Sequence, residues 1–263
     1  MSAALELLKA KKEQAVMSIS KSHSMFLKMN GKEGERIFER EKMFALMAIT
    51  KNPDILNCTP HSIHMAVANV AMSGLTLDPH LQLAHLVPRK GTAVLVVDYK
   101  GMIDAYERYA SIIIQCGAVY EGDTYDYEEG SRGFVKHKRN LNRTGNEKMI
   151  MVYSIARFPD GRERVDIFDM NQVNKRKAKA ATDKVWNEWP EEMAIKTLIR
   201  YQSKFLPKRE QLTKIMELTD NDIYKQVEAT QSEPEGIFDD NGEDMPTEQI
   251  EKQTKNETLP KEI

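Results

Sequence analysis

Cysteine is nearly absent from this 263-residue chain: only Cys58 and Cys116 occur, far apart in sequence and in apolar surroundings. With no CxxC pair and no Cys/His ligand spacing, a disulfide framework and a structural zinc site are both excluded from the reading, and buried thiols in a reducing compartment are expected. Long apolar runs are missing too. No segment approaches ~18 consecutive apolar residues, and the opening MSAALELLKAKKEQAVMSISKSHSMF holds no run of signal-peptide length. A soluble, cytoplasmic protein without a membrane partner is the expectation. The chain also lacks GxxxxGK[ST], a dinucleotide glycine fingerprint, GxSxG and HExxH, so it offers no phosphate-cradling loop for ATP and no standard hydrolase nucleophile or zincin site. No internal repeat is present.

What is present is charge, unevenly placed. The net charge is −2, yet from Glu228 to the end there are eleven acids against three lysines, while the window Arg132–Lys214 carries twenty bases against ten acids, net +10. A basic middle followed by an acidic end suggests nucleic-acid binding plus a tail. The domain reading has three parts. Residues 1–33, polar and lysine-rich, are a flexible N-terminal arm. Residues 34–227 are a nucleic-acid-binding core. Residues 228–263, with few large apolar side chains, are an acidic disordered tail.

Within the core the patterning gives helices and hairpins. GERIFEREKMFALMAIT reads as a helix burying Ile37, Phe44 and Ala48. TPHSIHMAVANVAMSG is the clearest helix: Thr59 caps it, Pro60 takes its first position, Gly74 ends it, and Ile63, Ala66, Val67, Val70 and Ala71 form its apolar stripe. LQLAHLVPRKGTAVLVVD and MIMVYSIARFPDGRERVDIFDM read as antiparallel hairpins, turning at Gly91 and at Pro159-Asp160-Gly161. YKGMIDAYERYA is a short helix between strands. Asp169 or Asn171 caps another through QVNKRKAKAA, and WNEWPEEMAIKTLIRYQSKFLP is a helix stopped by Pro207, with Met193, Thr197, Leu198, Tyr201 and Phe205 inward. Helices beside hairpins make this an α+β fold with a small antiparallel sheet.

Lys196, Arg200, Lys204 and Lys208 recur at four-residue spacing in EEMAIKTLIRYQSKFLPKRE, a stack of like charges that costs roughly 0.2–0.5 kcal/mol per pair within a helix. Counterion release on phosphate contact outweighs that cost. Two further basic stretches precede it: RGFVKHKRNLNR with Arg132, Lys136, Lys138, Arg139 and Arg143, and NKRKAKAATDK with Lys175, Arg176, Lys177, Lys179 and Lys184. Tyr99 beside Lys100, and Trp186 and Trp189 after Lys184, are rings available for stacking on bases. The residue chemistry argues for sequence-independent binding of single strands. Two other readings stay open: a metal-dependent nuclease built on Asp98, Lys100 and Asp104, and an RNA-binding chaperone.

NPDILNCTPHSIHMAVANVAMSGLTLDPHLQLAHLVPRKG and VDYKGMIDAYERYASIIIQCGAVYEGDTYDYEEG resemble the RecT family of phage single-strand annealing proteins. The family's order of motifs is matched by Gly74-Leu75, Ala84 through Pro88, Tyr99-Lys100-Gly101 and Val119 through Gly130, then KHK, YSIARFPDG and W…PEEMAIKTLIR…LP, over roughly residues 35–210. The resemblance implies a fold similar to that of the phage lambda Red beta protein, assembled as a ring or helical filament. It also implies annealing of complementary strands without ATP or another cofactor, magnesium entering only with DNA, and no catalytic centre. The implied partners are single-stranded DNA, the annealed duplex, further copies of the chain, a phage exonuclease and, at the acidic tail, a host single-strand binding protein. Glu191 and Glu192 open the last helix, so its later turns are expected to face DNA. The expected DNA contacts are Tyr99, Lys100, Lys136, Lys138, Arg139, Arg143, Lys177, Lys179, Lys184, Trp186, Lys196, Arg200 and Lys204.

Overall fold

The computed structural model describes residues 3–180 and 183–224. The acidic segment 228–263 lies outside them. Helices α1 (Ala3–Ser20), α2 (His23–Asn30), α3 (Gly34–Lys51) and α4 (Pro60–Ser73) come first, followed by the hairpin β1 (Ala84–Arg89) and β2 (Thr92–Val97). Helix α5 (Tyr99–Ala110) leads to β3 (Ile113–Tyr120), β4 (Thr124–Glu128), β5 (Phe134–Lys138), β6 (Met149–Arg157) and β7 (Glu163–Asp169). Helices α6 (Met170–Lys177), α7 (Lys184–Glu188), α8 (Pro190–Ser203) and α9 (Glu210–Tyr224) complete the described chain.

The α+β class and the antiparallel hairpins are as expected, but the strands make three small sheets, ordered β1-β2, β3-β6-β7 and β4-β5. The first hairpin closes through Lys90 (φ 47°) and Gly91 (φ 78°), the two positive-φ positions of a tight two-residue turn. Leu86 lies opposite Leu95, so one face of the hairpin buries Ala84, Leu86, Ala93, Leu95 and Val97.

Helix α4 is the apolar centre of the N-terminal half. The Thr59 side chain accepts from the Ser62 N–H, Pro60 occupies the first position, and Gly74, at φ 64°, supplies the left-handed C-cap. Its stripe packs against α1, α2, β2 and α9. The sequence reading assigned residues 1–33 to a flexible arm; in the structure α1 and α2 are helices that place Ala15, Ile19 and Phe26 in the core. Ser18 and Ser22 are buried in the same inward row, so its apolar residues are too few to stand out in the sequence. Helix α3 turns a different face from the expected one. It buries Phe38, Glu41, Ala45 and Ile49, and Ile37, Phe44 and Ala48 are half-buried beside them. A buried glutamate is invisible to a count of apolar residues.

The glycine of YKG has a packing reason. A Cβ on Gly101 would sit against the Leu83 carbonyl oxygen, which accepts from the Asp98 N–H at 3.0 Å. The chain entering β1 therefore lies directly on the first turn of α5. Gly101→Ala is expected to destabilise the protein by about 1–3 kcal/mol, read as a lower urea midpoint, because backbone must shift to make room; an unchanged midpoint would refute the close approach.

Candidate nucleic-acid interface

The sheet β3-β6-β7 has two different faces. One packs on helices: α8 carries Gln202, whose Oε1 accepts from Ser154 Oγ at 2.8 Å and whose Nε2 donates to the carbonyls of Ser154 and Arg164. The Tyr201 ring lies 5.1 Å from that of Phe168 on β7, tilted by 52°. The other face is partly covered by the β4-β5 hairpin, held through His137, whose Nδ1 lies 3.2 Å from the Tyr153 hydroxyl. Between hairpin and sheet is a cleft of about 450 Å³ reached by Gln115, Val135, His137, Tyr153 and Arg157.

Asp123 fastens the hairpin to the sheet. Its carboxylate is fully enclosed and accepts from the backbone N–H groups of Tyr120 (2.9 Å) and Asn140 (2.8 Å), from the Arg143 guanidinium, and faces His137 Nε2 at 3.1 Å. Burial pushes the carboxyl up, but these donors outweigh it and hold Asp123 well below the usual carboxylate range. Nothing in the local pattern of VYEGDTYDYEEG sets Asp123 apart from the other acids of the stretch. Asp123 is nonetheless the most enclosed anion of the hairpin, a fact set by chain segments 17 and 20 residues further on.

The predicted DNA contacts fall into three groups. On the hairpin, Lys136, Lys138 and Arg139 are exposed, with Lys136 Nζ 5.3 Å above the Phe134 ring. Arg143 differs: its side chain is 14% exposed, paired with Asp123 and stacked 4.4 Å over the Tyr120 ring, so it works as a structural cation. On α6 and α7, Lys177 Nζ donates to Asn187 Oδ1 at 2.8 Å, and Lys179 and Lys184 are exposed. Trp186 is 5% exposed and belongs to the core, so its ring is closed to bases; Trp189, at 53%, is the open one. Arg176 is spent on the Phe168 and Tyr201 rings, at 3.9 and 5.6 Å.

The third group surrounds the start of α5. Lys100 is exposed and its Nζ donates to Gln82 Oε1 at 2.5 Å, Gln82 being a non-glycine residue at φ 55°. Tyr99 is half-buried against the core beside Glu191 and Glu192. Lys196 of α8 and Lys51 at the end of α3 share a neighbour with Lys100, His85 on the outward row of β1. Partial burial, opposed by Asp98 and reinforced by Lys196, Lys51 and Lys100, holds that imidazole below its usual range. Lys51 and His85 were not in the predicted set, since nothing in sequence links the end of α3 to β1.

The four-residue cation stripe survives only in part. Lys196 and Arg200 are half-buried on α8, but the helix ends at Ser203, so Lys204 is its cap and Lys208 lies beyond it. The expected inward face is rotated as well. Ala194, Ile195, Leu198, Ile199 and Gln202 are buried, and Phe205 is 52% exposed. The reason is again a buried polar residue, Gln202, satisfied by strand backbone. Glu191 is occupied by the Tyr120 hydroxyl at 2.7 Å, which accounts for an acid at the head of this helix.

The acids of the nuclease reading have structural duties. Asp98 caps α5 by accepting from the Lys100 N–H, and Asp104 pairs with Arg108 one turn on. Among the described residues no group of three or more His, Cys, Asp or Glu is placed to hold a metal ion. Burial, aided by Glu191, pushes the Cys116 thiol up to about 11, which keeps it protonated. Among the described residues no helix is long and apolar enough to cross a membrane.

These features define an α+β scaffold of small antiparallel sheets that carries exposed cations on the β4-β5 hairpin and on several helices. A model of the RecT family matches residues 40–235, and the chain belongs to that family. Protein RecT of Escherichia coli strain K12 is 30% identical over 180 residues, which cover 64% of this chain and 66% of that protein. The chain thus matches just under two thirds of that relative's length.

Proposed function

We propose that this protein binds single-stranded DNA and anneals complementary strands in phage-type homologous recombination, without ATP. The observation that carries the reading is the set of exposed cations, Lys100, Lys136, Lys138, Arg139, Lys179, Lys184 and Lys204, in a chain of the RecT family. Such side chains contact phosphates, which fixes a strand in place without reading its sequence. Pairing edges stay open, so the second strand supplies the specificity, and base pairing drives the reaction downhill. No covalent step is required of the protein, and magnesium acts only as a counterion of the DNA.

Copies of the chain assemble into a ring or helical filament, and the basic groups of neighbours form one track. Many weak phosphate contacts then add along one strand. A phage exonuclease supplies the single strands, the acidic segment 228–263 meets a host single-strand binding protein, and the work is done in the cytoplasm.

The test uses the full chain with Lys136→Gln, Lys138→Gln and Arg139→Gln combined. Each lost phosphate contact lowers the slope of log affinity against log salt by about 0.7, so the triple variant is expected to lose about two units of slope on a labelled single strand. Its annealing rate at physiological salt falls with it. Wild-type annealing with an unchanged slope would overturn the assignment of these three residues to phosphate contacts.

A further inference from the structure

Strand β4 reads TYDYE, and every one of its five residues is exposed. Tyr125 and Tyr127 are 37% and 47% exposed, with ring centroids 6.3 Å apart and planes within 18° of parallel. Their cross-strand partners are His137 and Val135, so both rings share the hairpin face that borders the cleft over β3 and β6. Nothing in the core requires them. A strand that leaves two large rings open in this way presents stacking surface to something outside the fold.

We propose that Tyr125 and Tyr127 form a stacking platform for the nucleobases of the bound single strand. This rests on the single-strand reading above and adds a contact of different physics. Alternate residues of a strand recur at roughly 6.6–6.8 Å, twice the 3.4 Å rise of a stacked nucleic-acid strand, so two rings at this pitch meet every second base. Stacking engages the flat face of a base and leaves its pairing edge free, which annealing requires, and it is indifferent to sequence. Lys136 and Lys138 recur at the same two-residue pitch on β5, opposite Asp126 and Thr124, and Arg139 follows them. One hairpin therefore carries both kinds of contact that a single strand offers, ring faces and cations for phosphates. Because side chains alternate along a strand, Lys136 and Lys138 project from the other face of the same two-stranded ribbon, and they favour a polyanion over an apolar protein partner as the occupant of the hairpin.

The experiment compares the full-length wild type, the Tyr125→Ala/Tyr127→Ala pair and the Tyr125→Phe/Tyr127→Phe pair. Binding of a fluorescent single-stranded oligonucleotide is titrated at several salt concentrations. Stacking predicts a loss on the order of tenfold per ring for the alanine pair, an unchanged salt slope, and near wild-type affinity for the phenylalanine pair. In parallel, wild-type protein is photocrosslinked to an oligonucleotide carrying 5-iododeoxyuridine, with the adduct expected on the peptide containing Tyr125 and Tyr127. That arm does not depend on the variants folding. Alanine-pair affinity within twofold of wild type, an equal loss in the phenylalanine pair, or adducts confined to other peptides would each overturn the platform. A wild type that fails to bind the oligonucleotide at all would instead overturn the single-strand reading itself.

Discussion

Asp123→Ala is expected to lower stability by about 3–5 kcal/mol, measured by urea unfolding at pH 7. The substitution removes the shared acceptor of two backbone N–H groups and leaves the Arg143 guanidinium, only 14% exposed, without its anion. A buried charge deprived of its partner costs far more than the net value of the pair, which sets the size of the effect. The pH dependence has a definite sign. The folded carboxyl lies below its ordinary value, so its contribution is fully present above the unfolded pKa of about 3.9 and fades as pH falls through the acid range. The stability gap between wild type and variant should therefore narrow by about 1 kcal/mol from pH 5 to pH 3. A gap that stays constant or widens there would show that Asp123 is not the ionised hub. Because Asp123 also fixes the base of the β4-β5 hairpin, the variant should lose single-strand affinity beyond its loss of stability.

Glu41→Ala should cost a similar amount, about 3–5 kcal/mol, lowering Tm on the order of 10 °C. Glu41 is completely buried on α3, where it accepts from Thr76 Oγ1 at 2.7 Å and from the Leu77 N–H at 2.8 Å, with Arg40 on its outer side at 3.0 Å. It thereby ties α3 to the chain that leaves α4 through Gly74-Leu75, a segment with no helix or strand of its own to satisfy its backbone. Alanine strands the Leu77 N–H and the Thr76 hydroxyl in the core. Glutamine keeps an acceptor for Leu77 and should lose only about 1–3 kcal/mol, the cost of the charged contact. An alanine variant within 1 kcal/mol of wild type would mean that water replaces the carboxylate, and that the clamp is not structural.

Both residues are fixed by partners distant in sequence, whereas local rules govern other parts of the fold. The Thr59-Pro60 start and Gly74 stop of α4, the β1-β2 hairpin around Gly91 and the β6-β7 hairpin around Gly161 follow from local rules of capping, turn chemistry and periodicity, and each is found where expected. The motif order that marks the RecT family is likewise a property of the chain. Glu41, Asp123 and Gln202 are polar residues turned inward, and Glu41 and Gln202 each rotate a helix away from its expected face. Their partners are 35 to 48 residues away for Glu41 and Gln202, and 14 to 20 for the donors reaching Asp123 from beyond β4.

By itself the sequence determined the α+β class, the positions of most elements, the uneven charge and the family, because all of these depend on residue type and short spacing. Tertiary structure alone decided which cations are open and which are spent: Lys136, Lys138 and Arg139 outward, Arg143 and Arg176 inward on an anion and on rings, Trp186 closed and Trp189 open. The physical reason is that a charge or a ring is committed by whatever long-range packing brings against it, and no local pattern records that partner.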